Sequence, residues 1–148
     1  MSKRWGTPTW YFLHCIVEKI NVNYYNKIHG EVRNLIINIF QNLPCPYCKN
    51  HALNYIKKKN IYKIKTKEEM KMYLFNFHNE VNKRLNHRIQ EKSILDMYKK
   101  MNFVKVYNYF DKEFFYSNPL QKTFFSWQST LSRDVIEFLN KHRGQMRV

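Results

Sequence analysis

Two of the three cysteines in the chain lie in the stretch LPCPYCKNH, residues 43–51, with the spacing C-x-x-C. A histidine, His51, follows three residues after Cys48. Such a pair can be a redox-active disulfide, half of a zinc site, or two buried thiols. Because Pro46 suits the first position of a helix, Cys45 would be its N-cap and Cys48 would lie in its first turn. The partial positive charge at a helix N-terminus stabilises a thiolate, which favours the redox interpretation.

A zinc site is the main alternative for the two cysteines. A tetrahedral structural site needs four ligands, which usually come from two such pairs. The third cysteine, Cys15, stands alone, and no H-x₃₋₅-H pattern follows the C-x-x-C pair. Zinc would have to use His51 together with His14 or His78. The sequence therefore favours a redox pair without a metal, and we expect Cys15 to be a buried free thiol.

A redox pair needs an electron acceptor, and two further stretches could hold a flat organic cofactor. In WYFLH, Trp10 and His14 are four residues apart and share one helix face. In FHNEVNKRLN, His78 and Asn82 have the same spacing. Such side chains also form ordinary hydrogen bonds inside proteins, so neither stretch identifies a cofactor site alone. The basic residues that could meet phosphates at the end of the second stretch are Lys83, Arg84, His87 and Arg88.

The elements that would position these residues are helices. Glycine occurs three times and proline four times, and no alternating apolar run is bounded by hairpin turns. Thr7 and Pro8 predict the start of a first helix. Pro46 predicts the start of another, and Thr66 with Glu69 forms a capping box ahead of a long helix. The sequence therefore predicts an all-α fold.

Other signals complete the helical pattern. An apolar-periodic run over residues 32–43 predicts the second helix. Ser93 is the expected cap of a short fifth helix, and Ser132 that of a final helix ending near His142. Residues 103–128 are aromatic and less periodic, and part of this segment could be extended.

The chain is strongly basic, with 26 Lys and Arg against 11 Asp and Glu and a net charge of +15. Such a charge can face nucleic acid, anionic lipid or an acidic partner. Because the basic residues are spread along the chain, a solvated surface is the simpler interpretation, and nucleic acid is not the expected partner. No apolar run approaches the roughly 18 residues of a membrane span, and MSKRWGTPTW has no apolar leader. We expect a cytoplasmic protein that is not secreted.

The three stretches together resemble the Erv/ALR family of FAD-linked sulfhydryl oxidases. The pattern is W-G-x-x-x-W-x-x-L-H, then C-x-x-C, then H-N-x-V-N-x-x-L, and here it runs from Trp5 to Leu85. The resemblance covers about residues 4–98. Within the family, the chain is similar to the short forms that large cytoplasmic DNA viruses encode. It implies a bundle of four helices with a short fifth, one FAD site, and commonly a homodimer.

The resemblance also implies residue roles. Cys48 resembles the cysteine next to the flavin, and Cys45 the distal cysteine that an incoming thiolate attacks. Tyr98 would replace a family tryptophan near the adenine, with a gap of one residue. The residues implied for FAD binding are Trp10, His14, Tyr47, His78, Asn79, Val81, Asn82, Lys83, Asn86, His87 and Tyr98.

The implied function is FAD-dependent oxidation of thiols, which makes disulfide bonds in protein substrates. Electrons would pass through the Cys45–Cys48 disulfide to FAD and then to O₂, giving hydrogen peroxide. The chain has no second cysteine pair, so the expected partner is a dithiol protein of C-x-x-C type, either substrate or shuttle. A basic helical module that binds nucleic acid, with a structural or zinc-bound C-x-x-C, is the alternative.

The resemblance also suggests how the chain is divided. We expect an oxidase core in residues 1–102 and an aromatic-rich C-terminal extension in residues 103–148. The extension would pack on the core or lie at a dimer interface. A viral source would place the protein in the host cytoplasm or the virion.

Overall fold

The computed structural model describes residues 4–116 and 127–148, without the side chains of residues 127–129. Within these ranges the chain forms seven α-helices and no β-strand, which confirms the predicted all-α fold. None of the described helices combines the length and the apolar character that crossing a bilayer needs. The helices are α1 (Gly6–Lys19), α2 (Val22–Gln41), α3 (Pro46–Lys58), α4 (Lys67–Arg84), α5 (Leu95–Lys100), α6 (Phe103–Asp111) and α7 (Trp127–His142). Short 3₁₀ turns lie at Ile61–Lys63, Lys92–Ile94 and Arg143–Gln145, and a π turn lies at Lys112–Tyr116.

Two helix starts were predicted correctly from local sequence. α3 begins at Pro46 with Cys45 as its N-cap. The first N–H groups of a helix have no intrahelical partner, so proline loses no hydrogen bond there. At the start of α4, Thr66 Oγ1 accepts a 3.2 Å hydrogen bond from Glu69 N, and Glu69 Oε1 accepts a 3.1 Å bond from Thr66 N. These starts set the registers of the two helices that carry the C-x-x-C and H-N-x-V-N stretches.

Three predicted caps are wrong. α1 begins one residue before Thr7, with Trp5 at the N-cap position and no side-chain cap. Ser93 lies within the 3₁₀ turn before α5, and Ser132 lies inside α7. Residue type is only one contribution to a helix start, and tertiary packing overrides it. At α1 the Trp5 ring packs edge-on against Phe114, with centroids 6.4 Å apart.

α2 is longer at its start than the apolar pattern predicts. The periodic run begins at Val32, whereas the helix begins at Val22. Over residues 22–31 only Tyr25 is buried, so this half shows no apolar stripe. The backbone at Ile28 also departs from helical values, with φ −107° and ψ 17°. The pattern therefore identified the buried half of α2 and missed the half before the kink.

α1 is the central helix of the fold. Every residue from Phe12 to Ile20 is buried, and α1 contacts α2, α4, α5 and α6. A helix surrounded in this way loses water contact only when all of its neighbours are in place. The side chains of Trp10 and His14 are therefore held by packing on several sides.

The C-terminal end of α1 buries charged groups together with their partners. The Glu18 carboxylate lies 3.6 Å from Lys67 Nζ and 3.4 Å from Lys71 Nζ. Lys67 Nζ also donates hydrogen bonds of 2.7 Å to the backbone oxygens of Glu18 and Ile20. Because the last carbonyl groups of a helix have no intrahelical partner, this ammonium group satisfies them where α1 ends.

Residues 145–148 lie against two other parts of the chain. Arg147 N donates a 2.8 Å hydrogen bond to Lys19 O at the end of α1. Phe103 N donates a 3.1 Å hydrogen bond to Val148 O, so the same segment contacts the start of α6. These backbone bonds hold the end of α1 and the start of α6 to one segment.

The aromatic segment after residue 102 packs on α1. Phe110 is fully buried and stacks on Phe12, with ring centroids 4.4 Å apart and planes 6° apart. Phe114, in the π turn, is also fully buried. The part of the expected extension at residues 117–126 lies outside the described residues. The division of the chain at residue 102 and a dimer contact stay predictions.

Replacing Phe110 by alanine should lower the free energy of unfolding by roughly 3–5 kcal/mol, because a buried ring is lost and a cavity is left. Tyr116→Ala is the matched control, since Tyr116 lies in the same segment and is 71% exposed. The control should change the free energy of unfolding by less than about 0.5 kcal/mol. Urea unfolding followed by circular dichroism measures both variants. Equally small effects would contradict packing of this segment on α1.

Candidate functional site

The C-x-x-C pair lies at the start of α3. Cys45 is the N-cap residue, and its Sγ accepts a hydrogen bond of 3.2 Å from the backbone N–H of Cys48. The two Sγ atoms are 2.7 Å apart. The N–H groups and the partial positive charge at this end of α3 stabilise negative charge on sulfur. The local fold therefore suits thiol–disulfide chemistry.

A cavity of about 710 Å³ lies beside Cys48. Its walls come from α1, the start of α3, the second half of α4, and residues 85–98. Cys48 is one of the lining residues, whereas Cys45 is not. The two cysteines therefore differ in position, because Cys48 lines the cavity and Cys45 does not.

Most of the residues predicted for the site line this cavity. They are Cys48, Trp10, His14, Tyr47, His78, Asn79, Val81, Asn82, His87 and Tyr98. Lys83 and Asn86 are exposed and do not line it. Lys83 follows Asn82 by one residue, which turns it about 100° away around α4. Asn86 has φ 57°, the left-handed turn that ends α4, and the next residue, His87, donates its N–H to Asn82 O at 2.7 Å.

Four flat rings form one wall of the cavity. The Trp10 and His78 rings stack with centroids 3.9 Å apart and planes 7° apart. The His14 and Tyr98 rings stack with centroids 4.4 Å apart and planes 11° apart. A hydrogen bond of 3.1 Å joins His14 Nε2 and His78 Nδ1, in which one ring donates its N–H and the other accepts. The wall is thus shared by α1, α4 and α5.

Burial keeps both histidines of this wall neutral at physiological pH. Burial, and then the charge of His78, lowers the pKa of His14 to about 3. Burial, and then His87, lowers the pKa of His78 to about 4. A neutral imidazole has one N–H donor, one acceptor and a flat face. The wall can therefore stack on a heterocycle without adding a charge.

Asn79 lines the cavity but uses its side chain within the fold. Its Nδ2 donates to Gln90 O, and its Oδ1 accepts from Gln90 N, both at 2.9 Å. Asn82 Nδ2 donates to the same Oδ1 at 3.3 Å. The two asparagines hold the segment of residues 85–90 against α4, and this segment forms one side of the cavity.

Basic side chains line the cavity at the end of α4, namely Arg84, His87 and Arg88. Arg84 Nε donates a 2.8 Å hydrogen bond to the Tyr47 hydroxyl, and Arg84 Cζ lies 3.7 Å from the centroid of the Tyr47 ring. Because Tyr47 stands between the two cysteines, this contact links the C-x-x-C turn to α4. Guanidinium groups bind phosphate through paired hydrogen bonds, so this side of the cavity suits an anionic group.

Sequence reasoning missed several lining residues. Phe77 is four residues before Val81 on α4, so helical spacing could have found it. Gln90 lies between helices and is placed by Asn79, and no local signal predicts that contact. Residue type and spacing therefore find the helical part of the cavity and miss its loop.

The histidines near the cysteines are engaged with other side chains. His14 shares a hydrogen bond with His78, and His51 Nε2 lies 3.2 Å from Glu80 Oε2. Across residues 4–116 and 127–148, no group of three or more His, Cys, Asp or Glu side chains is arranged to hold a metal ion.

Cys15 is a buried free thiol, as predicted. Burial raises the pKa of this thiol to about 12. Its Sγ lies 3.7 Å from Met101 Sδ and 3.9 Å from Tyr98 O, inside the core. A thiol that stays protonated and is covered by packing does not exchange with other thiols.

Stability should fall as the pH drops below about 6.5, because the two histidines of the ring wall take up protons only on unfolding. Their folded-state pKa values are depressed to about 3 for His14 and about 4 for His78, against 6.5 for the unfolded chain. Between these limits the unfolded state binds more protons, and each histidine lowers the free energy of unfolding by up to about 1.4 kcal/mol per pH unit. Above about pH 6.5, histidines of the unfolded chain are neutral as well, so the two rings no longer change the free energy of unfolding with pH.

Urea unfolding at several pH values between about 5 and 7.5 measures this dependence. His78→Asn should show a shallower loss of stability than the unaltered protein. His29→Asn is the matched control, because His29 lies on α2 and does not line the cavity. Equal slopes for His78→Asn and the unaltered protein would show that these rings do not titrate as described.

Comparison with known proteins identifies relatives of the chain. The sequence profile of the Erv1 / Alr family matches residues 7–108. An FAD-linked sulfhydryl oxidase of African swine fever virus (isolate Tick/Malawi/Lil 20-1/1983) is 35% identical over 85 residues, which are 57% of this chain and 71% of the relative. A protein of the same name from isolate Pig/Kenya/KEN-50/1950 matches with the same identity and coverage. A relative from Invertebrate iridescent virus 3 is 30% identical over 99 residues, 66% of this chain and 67% of the relative.

No solved structure gives a significant match. The family match nevertheless spans the C-x-x-C pair and nearly all of the cavity wall, and it confirms the resemblance drawn from the three sequence stretches. This match covers more than half of the chain, and the chain therefore belongs to the Erv1 / Alr family.

Proposed function

We propose that the chain is an FAD-dependent thiol oxidase, which makes disulfide bonds in dithiol substrates and passes their electrons to O₂. The observation that carries the proposal is the position of Cys48, which belongs to a C-x-x-C pair at a helix N-terminus and lines a cavity walled by stacked rings. Family membership and the FAD-linked sulfhydryl oxidases among the relatives support it. These relatives do not favour the alternative of a nucleic-acid-binding module.

The residues around the cavity fit FAD. The volume of about 710 Å³ lies within the range of roughly 300–1,000 Å³ that ligand sites occupy. The ring wall offers flat faces for the two ring systems of the cofactor, and Arg84 and Arg88 offer cations for its phosphates. We propose as the FAD-binding set Trp10, His14, Tyr47, His78, Val81, Asn82, Arg84, His87, Arg88 and Tyr98, with Asn79 holding the adjoining segment. Binding by Lys83 and Asn86 stays a prediction.

The oxidation begins at Cys45, the cysteine that does not line the cavity. A substrate thiolate attacks Cys45 Sγ, a bond forms between the two sulfurs, and the Cys45–Cys48 bond breaks, leaving the electron pair on Cys48. The second substrate thiolate then attacks its own partner sulfur in the mixed disulfide and releases Cys45 as a thiolate. The substrate has lost two electrons and two protons, and the cysteine pair has gained the two electrons.

Cys48 delivers these electrons because its sulfur borders the cavity. FAD held against the ring wall of Trp10, His14, His78 and Tyr98 would supply the acceptor for this electron pair and the route to O₂ that yields hydrogen peroxide. Loss of the pair re-forms the bond between Cys45 and Cys48. The ring wall contributes placement, and His14 and His78 within it remain neutral because burial lowers the pKa of each ring.

The substrate dithiol must come from another molecule. The chain has three cysteines, and the one outside the pair, Cys15, is buried. Burial raises the pKa of Cys15 to about 12, so it is protonated at pH 7 and cannot serve as a shuttle. We therefore propose a protein partner with an exposed dithiol of C-x-x-C type.

A homodimer and a cytoplasmic or virion location also belong to this proposal. Val104 and Tyr109 on α6 are 56% and 42% exposed, and apolar and aromatic side chains of this kind are common in subunit contacts. Light scattering of the purified protein tests the dimer. Fractionation of cells that express the protein tests its location.

Purified protein should contain about one FAD per chain, visible as flavin absorption that stays with the protein through gel filtration. Cys48→Ser should retain the flavin and lose oxidation of dithiothreitol by roughly a hundredfold or more, because no cysteine thiol then lines the cavity. Absorption spectra and oxygen consumption measure the two properties.

Cys15→Ser is the matched cysteine control and should leave turnover largely intact, since Cys15 is buried and does not itself line the cavity. A colourless protein with stoichiometric zinc would remove the proposed function. Loss of activity in Cys15→Ser alone would show that the third cysteine takes part in the reaction.

A further inference from the structure

His51 has no role in the mechanism above, although it follows the C-x-x-C pair by one helical turn. It lies three residues after Cys48 and therefore on the same face of α3. Both side chains line the cavity. The His51 ring meets the buried Phe77 ring edge-on, with centroids 5.4 Å apart, which restricts its orientation. A titratable ring thus lines the same cavity as Cys48, about one helical turn further along α3.

Glu80 on α4 orients the His51 ring. Its Oε2 lies 3.2 Å from His51 Nε2. An ionised carboxylate accepts hydrogen bonds and cannot donate them, so in the neutral ring Nε2 carries the proton and Nδ1 carries the lone pair. Among the described residues, Nδ1 makes no hydrogen bond of its own. Nδ1 is therefore the atom that can take up a proton.

The charged and titratable groups around His51 come from α3 and α4. Burial, and then Arg84, lowers the pKa of His51, whereas Glu80 raises it. The ring is therefore mostly neutral at pH 7, and Glu80 stabilises the imidazolium once a proton has been taken up. Tyr55, one turn further along α3, has its pKa raised by burial and by Glu80, so it stays protonated. Among these groups on α3, the Cys48 thiol is the one that can give a proton to His51.

We propose that His51 is the base for Cys48, and that its Nδ1 takes the proton of the Cys48 Sγ–H when the cysteine pair is reduced. Only a proton moves in this step, from sulfur to nitrogen, and the electron pair of the S–H bond stays on sulfur. The thiolate is the form of cysteine that donates electrons. Glu80 is a positioning residue that holds the ring and stabilises its charge. The inference rests on the proposed oxidase function and adds to it the group that keeps Cys48 ionised.

The test follows the ionisation of Cys48 itself and does not use turnover. In the Cys45→Ser protein, the rate of Cys48 alkylation by iodoacetamide is measured from about pH 5 to 10, and peptide mass spectrometry identifies the modified cysteine. Adding His51→Gln should slow alkylation at pH 7 roughly five- to tenfold and move the midpoint to higher pH, because glutamine cannot accept the proton. His29→Gln in the same background is the matched control and should leave the rate unchanged, since His29 does not line the cavity.

Glu80→Gln tests the proposal through the direction in which the rate of Cys48 alkylation changes. If Glu80 acted on Cys48 only through its charge, removing that charge would lower the pKa of the Cys48 thiol and speed alkylation. If Glu80 acts through His51, removing it weakens the imidazolium, raises the pKa of Cys48 and slows alkylation. We expect the slower rate, with a smaller change than for His51→Gln. The Glu80 side chain is 45% exposed, so this variant tests the proposal even where His51→Gln does not fold.

Unchanged alkylation in both variants, or faster alkylation in Glu80→Gln, would overturn the role of His51. Such a result would leave the oxidase function standing if the unaltered protein carries flavin and oxidises dithiothreitol. A colourless, inactive unaltered protein would instead remove the oxidase function, whatever the alkylation rates. The two failures are therefore separate.

Discussion

Between Phe12 and Ile20 the first helix has no exposed residue, and its polar side chains must find partners inside the fold. His14 pairs with His78, and Glu18 pairs with Lys67. From His14 to Glu18 the residue number rises along α1, whereas the partner's number falls along α4. The two helices therefore pack antiparallel, in a register that these two contacts define. A slip of α4 by one turn would part the buried His14 imidazole from His78 and take Lys67 away from the backbone oxygens of Glu18 and Ile20, which costs more than most single apolar contacts return. The position of the cavity between the two helices follows from this register.

The chemistry of the cysteine pair depends on a second interface, that between α3 and α4. Proline at the first position of α3 places one sulfur at the N-cap and the other in the first turn, and only the second borders the cavity. Two side-chain contacts then tie this turn to α4: Tyr47 with Arg84, and His51 with Glu80. Both partners on α4 are charged, so part of the electrostatic surroundings of Cys48 comes from a helix that contains no cysteine. A substitution on α4 can therefore alter sulfur chemistry without touching the C-x-x-C stretch.

Local features of the fold were predictable from the sequence. The N-cap of α3, the capping box of α4 and the helical spacing of Trp10 with His14 each depend on residues close together in the chain. Contacts between distant segments were not predictable in this way. Asn79 lines the cavity, and its side chain pairs with the backbone of Gln90, whose position no pattern specifies. Thr7 has the type of a cap, but the packing of Trp5 decided where α1 begins.

The segment 145–148, which lies against the end of α1, has a consequence for how the protein is made. Arg147 donates a side-chain hydrogen bond to the backbone oxygen of Glu18, 129 positions earlier in the chain. The central helix is therefore synthesised first and receives some of its last partners only after residue 147 has left the ribosome. Contacts of such sequence separation form slowly, and until they form the last backbone oxygens of α1 lack these partners. The end of the central helix is therefore fully satisfied only once residues 145–148 have been synthesised and have docked.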